Sequence, residues 1–118
     1  MLTFVPSKDE GTIAFEFDGK AEEEDAIKMR KVIEEKFPGD RKFNAYAIIR
    51  GIETPTFKGM VERIKLQSKH IHQFEKVALI SDEYLVEKAE NLDILLPGLT
   101  ARHFPIDEMD KAWDWIKE

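Results

Sequence analysis

Apolar positions along this chain fall into short blocks of two kinds, one with a period of two and one with helical spacing. Ile13, Phe15 and Phe17 alternate with Ala14, Glu16 and Asp18, which predicts a strand over Thr12–Phe17 with one fully apolar face. Phe43–Arg50 and Lys76–Ile80 are nearly continuous apolar runs, as strands covered on both faces should be, and belong at the centre of a sheet. Met1–Val5 and Thr100–Phe104 complete the strand set. The polar turn Pro6–Gly11 folds the first two strands into a hairpin.

Helical spacing fills the gaps between strands. After Glu22–Asp25, the residues Ala26, Met29, Ile33 and Phe37 form a stripe with Val32 beside it, and Pro38-Gly39 ends the helix. A helix after Thr54-Pro55-Thr56 carries Phe57, Met60, Val61, Ile64 and Ile71 inward. Glu83–Leu96 carries Leu85, Val86, Ala89, Leu92 and Leu96, with Pro97-Gly98 beyond it. A last helix opens near Asp107 and carries Met109, Ala112, Trp113 and Ile116, with Trp115 set to pack over a sheet edge. Strands alternating with helices of this length imply crossover connections. The expected fold is α/β: a single domain over residues 1–118, with a five-stranded mixed, mostly parallel sheet covered by about four helices in ββαβαβαβα order.

Composition narrows the chemistry. The 118 residues contain no cysteine, which excludes disulfides, thiolate catalysis and cysteine-ligated metal or iron–sulfur sites. No apolar run approaches the roughly 20 residues that span a bilayer, and the N-terminus lacks a signal-peptide pattern, so a cytoplasmic protein is expected. The net charge of −6 opposes general nucleic-acid binding. Charge is uneven, however: residues 56–76 carry Lys58, Arg63, Lys65, Lys69 and Lys76 against Glu62 and Glu75. That basic helix face could meet an anionic membrane surface or an acidic partner.

Candidate catalytic groups do not assemble. Ser7, Ser68 and Ser81 stand in no Gly-x-Ser-x-Gly elbow, and Gly19, Gly51 and Gly59 make no phosphate loop. His70 and His72, two apart on a helix, point away from one another and cannot chelate one metal. The carboxylates Glu22–Asp25 read as a solvated first turn that complements the helix dipole. No enzyme, metal or other cofactor is expected. Thr54 and Thr56 lie where the central strand hands over to a helix. They read first as a helix cap; the same helix amides would stabilise a phosphate, which makes them a lesser candidate as a phosphorylation site.

The segment Arg102-His103-Phe104-Pro105-Ile106-Asp107-Glu108, followed by Ala112, Trp115 and Ile116, resembles the C-terminal pattern of the bacterial SpoIIAA-like family. So do Gly19-Lys20 before the first helix, Phe74-Glu75-Lys76-Val77-Ala78 leading into the fourth strand, and Asp82 after it. The resemblance implies a small STAS-type domain, related in fold to the CRAL-TRIO lipid-binding domains. Two functions follow as expectations. One is a nonpolar small molecule or lipid held in a helix-gated groove lined by Phe57, Met60, Ile64, Leu92 and Leu96, with Lys58, Arg63, Lys65 and Lys69 facing an anionic headgroup or the inner membrane face. The other is a regulatory protein acting through protein partners, phospho-regulated at Thr54 or Thr56; there the family's Asp-Ser-x-Gly turn is replaced by Gly51–Thr56. A homodimer through Leu92–Leu99 is a further expectation.

Overall fold

The apolar run Phe43–Arg50 forms the central strand of a five-stranded sheet in the computed structural model, which describes residues 1–19, 22–50, 71–81 and 100–118. In chain order the elements are β1 (Leu2–Phe4), β2 (Thr12–Asp18), α1 (Glu23–Lys36), β3 (Phe43–Arg50), a 3-10 turn (Ile71–Gln73), β4 (Phe74–Ile80), β5 (Thr100–Phe104), a second 3-10 turn (Ile106–Glu108) and α2 (Met109–Lys117). The strands lie in sequence order, with β1 antiparallel to β2 and the remaining pairs parallel. The helices expected after Thr56 and over Glu83–Leu96 lie outside the described residues, so two α-helices stand against the four expected. Several boundaries differ from expectation: β1 is shorter than Met1–Val5 at both ends, and β2 runs one residue past Phe17 to Asp18. Ile71 opens a 3-10 turn, β4 starts at Phe74, and the last α-helix starts at Met109 behind its own 3-10 turn.

Both faces of β3 are buried from Ala45 through Ile49, so apolar cover must come from two sides. On one side, Ile33 and Phe37 of α1 pack on Ile13 and Phe43, with Phe15, Met29, Val32 and Phe74 around them. Phe43 stacks on Phe37 at 5.0 Å and meets Phe74 at 4.6 Å between ring centroids. On the other side, Ala112, Trp113 and Ile116 of α2 pack on Ala14, Tyr46, Ile48, Ala78, Ile80 and Phe104. The alanines at 14, 78 and 112 let helix and sheet approach closely, and Trp113 stacks flat on Tyr46 at 4.2 Å. Burial pushes the Tyr46 phenol up, as does Asp110, against a hydrogen bond with Trp113. Each fully buried aliphatic side chain contributes about 1.5–3 kcal/mol.

Polar residues inside this frame serve the backbone. A bulge gives β4 one extra residue between Phe74 and Val77, and the Asn44 side chain accepts the Lys76 amide there (3.1 Å). Lys76 then runs toward α2, where Nζ donates to the carbonyls of Trp115 (3.0 Å) and Glu118 (3.2 Å) and rests over the Trp115 ring. A cation at this helix end complements its dipole. Gln73, fully buried, donates to the carbonyls of Phe37 (3.0 Å) and Arg41 (2.7 Å), fixing the chain after α1. That stretch includes Gly39 at φ +71, a left-handed position that suits glycine.

One expected stripe position is corrected. Ala26 is exposed, and Asp25 is buried in its place. Asp25 Oδ1 accepts the Leu2 amide of β1 (3.0 Å), while Oδ2 accepts the Glu22 amide (2.9 Å) as one half of a capping box. The first turn therefore carries its acid inward, not wholly in solvent, because an edge-strand amide requires an acceptor there. Burial acts to raise the Asp25 carboxyl. The two amide hydrogen bonds and the charges of the amino terminus and Lys28 outweigh it, so the net shift is downward from 3.8.

A carboxyl lowered on folding stabilises the fold above its ordinary value and loses that contribution as pH falls through the folded value, below 3.8. Asp25→Ala is expected to cost about 1–3 kcal/mol near neutral pH. Urea unfolding should show a stability loss on acidification that is shallower for the variant than for wild type. Acid limbs of equal steepness would refute the role assigned to this carboxylate.

Candidate functional site

Two ends of the sheet offer exposed polar groups, and they differ in how those groups are used. At the amino end of β2, Thr12 Oγ1 donates to Asp9 Oδ2 (2.6 Å), which also accepts the Gly11 amide (3.2 Å). Ser7 Oγ lies 2.7 Å from the Asp9 carbonyl and 3.0 Å from that of Thr12. These bonds hold the hairpin turn. The open depression of about 440 Å³ beside it, lined by Ser7, Lys8, Asp9, Glu10, Thr12 and Lys36, carries both signs of charge and no apolar wall. Nearby, Lys42 donates to the His72 carbonyl (2.7 Å), and the His72 ring meets Asp40 (3.1 Å). This end is consumed in closing turns.

The carboxyl end of the parallel strands is different. The pairing of β4 with β5 closes at Ile80 opposite Phe104, and the Ser81 amide extends it by donating to the Phe104 carbonyl (3.2 Å). His103 stands opposite Leu79 on the sheet side away from α2. Ser81, two residues beyond Leu79, emerges on that same side. Its Oγ lies 2.8 Å from His103 Nε2. Ser81 is 1% exposed and His103 half-buried, so the serine is locked while the imidazole still reaches the surface. Among the described residues, Nδ1 of His103 has no hydrogen-bond partner. On the opposite face, Arg50 Nε pairs with Glu16 Oε1 at 2.6 Å; both are substantially exposed, and such pairs are worth under about 1 kcal/mol.

The Ser81–His103 pair was not legible as a site in the sequence. Ser81 lacks a nucleophile elbow, and His103 lacks an acidic neighbour in sequence. The usable signal was the alternation of side-chain faces: once β4 and β5 are neighbours in this register, positions 79, 81 and 103 share a side. The residues that the sequence did nominate, Thr54, Thr56, Phe57, Lys58, Met60, Arg63, Ile64, Lys65, Lys69, Leu92 and Leu96, lie outside the described residues, as does His70. His72 sits in a 3-10 turn against Asp40.

A family model described as SpoIIAA-like matches residues 12–117. The chain belongs to the SpoIIAA-like family. Among solved structures, it is similar to a DUF3478-family protein with a SpoIIAA-like fold from Shewanella loihica PV-4. Identity is 23% with a TM-score of 0.70, covering 98% of this chain and 92% of that one. Among curated proteins, none matches this chain. The SpoIIAA-like fold is of the STAS-like class, generally non-catalytic. In this SpoIIAA-like chain the Ser81 hydroxyl is too enclosed to act as an open nucleophile. Among the described residues, no group of three histidine, aspartate or glutamate side chains could hold a metal ion. No described helix is long and apolar enough to cross a membrane.

Ser81→Ala is expected to leave the sheet intact and to release the His103 ring. Nitrogen-15 spectra of histidine-labelled protein should then show the Nε2 resonance moving toward that of a solvated imidazole. An unchanged resonance would mean that the serine does not orient the ring.

Proposed function

We propose that this SpoIIAA-like domain is a non-catalytic binding module that holds a nonpolar small molecule or lipid in a groove gated by a helix. The groove is lined by Phe57, Met60, Ile64, Leu92 and Leu96. The basic residues Lys58, Arg63, Lys65 and Lys69 face an anionic headgroup or membrane surface. One observation carries the reading. On the sheet side away from α2, the carboxyl half of β3 and β4 carries Ala47, Ile49 and Leu79, buried apolar side chains that would floor the groove once the gating helix moves. That floor ends at the Ser81–His103 pair. The core formed by α1 centres on Ile13 and Phe43 and does not include these floor residues. An apolar surface with a few convergent polar groups at its rim, at the carboxyl ends of parallel strands, is where ligands sit in folds of this architecture.

Native mass spectrometry of the protein purified gently from its own host tests the reading. A nonpolar adduct is the expected result. A clean mass, or one heavier only by a phosphate that Thr54→Ala or Thr56→Ala removes, would replace this reading with that of a phospho-regulated partner of other proteins. In the same preparation, Lys65→Glu with Lys69→Glu should weaken sedimentation with phosphatidylglycerol vesicles. Unchanged sedimentation would remove the membrane contact.

A further inference from the structure

The polar chemistry of the carboxyl end permits a narrower statement, which rests on the ligand-binding reading above. We propose that His103, oriented by the buried Ser81, is the polar anchor of the site, with its Nδ1 edge hydrogen-bonding an anionic oxygen head, carboxylate or phosphate, on the nonpolar ligand.

Three features lead there. Among the described residues, every buried side-chain nitrogen and oxygen has a hydrogen-bond partner. An imidazole nitrogen without one must therefore face solvent, and Nδ1 of His103 is such an atom. Second, the ring is held from its other side. Ser81 is 1% exposed, its amide is committed to the Phe104 carbonyl, and its hydroxyl meets Nε2 at 2.8 Å. A buried group that fixes one ring nitrogen and leaves the other outward is how proteins orient a histidine toward a ligand. Third, the partner's chemistry follows from hydrogen positions. When Ser81 donates to Nε2, Nδ1 bears the ring hydrogen. In the imidazolium, both nitrogens donate. In both of these states the outward atom is a donor that an oxyanion complements best, since charge-assisted bonds are the stronger kind; in the other neutral tautomer, with Nε2 donating to Ser81, Nδ1 accepts instead. The nearest basic side chain on β5, Arg102, belongs elsewhere: it faces the α2 side and lies 5.2 Å over the Phe104 ring.

The test uses three probes sharing one chain: oleate, oleyl phosphate and oleyl alcohol. Titration of the full chain should give affinity at least about tenfold higher for an anionic head than for the alcohol. His103→Leu should abolish that preference while keeping alcohol binding. In wild-type protein, which needs no variant to fold, the His103 Nδ1 resonance should move with the anionic probes and stay put with the alcohol. The tighter of oleate and oleyl phosphate identifies the head. Equal binding of all three, or a preference that survives His103→Leu, would overturn the anchor while leaving the nonpolar site standing. Binding of none would overturn both. A ring that responds to inorganic phosphate but not to oleate would also overturn it, since the site would then take a free anion.

Discussion

Strand β3 has no face to give to water. Five consecutive residues from Ala45 to Ile49 are buried, and a pleated strand turns successive side chains to opposite sides. The chain must therefore supply cover above and below the same strand, and the described helices divide that task. α1 packs where Ile13 and Phe43 project, and α2 packs where Tyr46, Ile48, Ala78 and Ile80 project. Parallel pairing follows, because β2 returns to β3 through a helix instead of a tight turn. Once β2 to β5 run the same way, their carboxyl ends fall along one rim. The position of Ser81 and His103 on that rim is a consequence of satisfying β3.

Polar residues in the rest of the frame show how little freedom that constraint leaves. Gln73 gives its amide hydrogens to two carbonyls, Asp25 gives both carboxylate oxygens to amides, and Lys76 reaches the last carbonyls of α2. Leaving a buried backbone group unmet costs about 1–3 kcal/mol, comparable to burying one aliphatic side chain. These interactions outweigh exposed ion pairs such as Glu16 with Arg50, whose screening by water leaves them worth a fraction of that. Among the described residues, these bonds add to the two apolar cores by satisfying the chain at the amino end and at the helix termini.

The strands could be read in the sequence because their signal is local. Alternation at Ile13, Phe15 and Phe17, and unbroken apolarity at Phe43–Ile49, each reflect contacts made by that segment itself. Asp25 escaped because its partner, the Leu2 amide, is 23 residues away, and helical spacing alone favoured Ala26. Gln73 is not singled out by the pattern for the same reason: its partners are 36 and 32 residues distant. Ser81 and His103 are separated by 22 residues, and only the β4–β5 register puts them on one side. What sequence patterning misses here is polar complementarity across the fold, since hydrophobic period carries no record of which amide an acid will meet.

Shared architecture does not by itself assign a role to any residue, and a relative at 23% identity speaks for the fold alone. Unspent bonding capacity distinguishes the two ends of the sheet. At the amino end the hydroxyl of Thr12 and the carboxylate of Asp9 are spent on one another and on the turn. At the carboxyl end Ser81 is spent on fixing His103, and the imidazole retains one nitrogen toward solvent. A histidine kept only for packing would gain nothing from being oriented by a buried hydroxyl, because an apolar residue could fill the same position opposite Leu79 without the cost of desolvating a polar ring. A polar, positioned and half-open side chain at the rim is therefore the observation on which the proposed binding site rests.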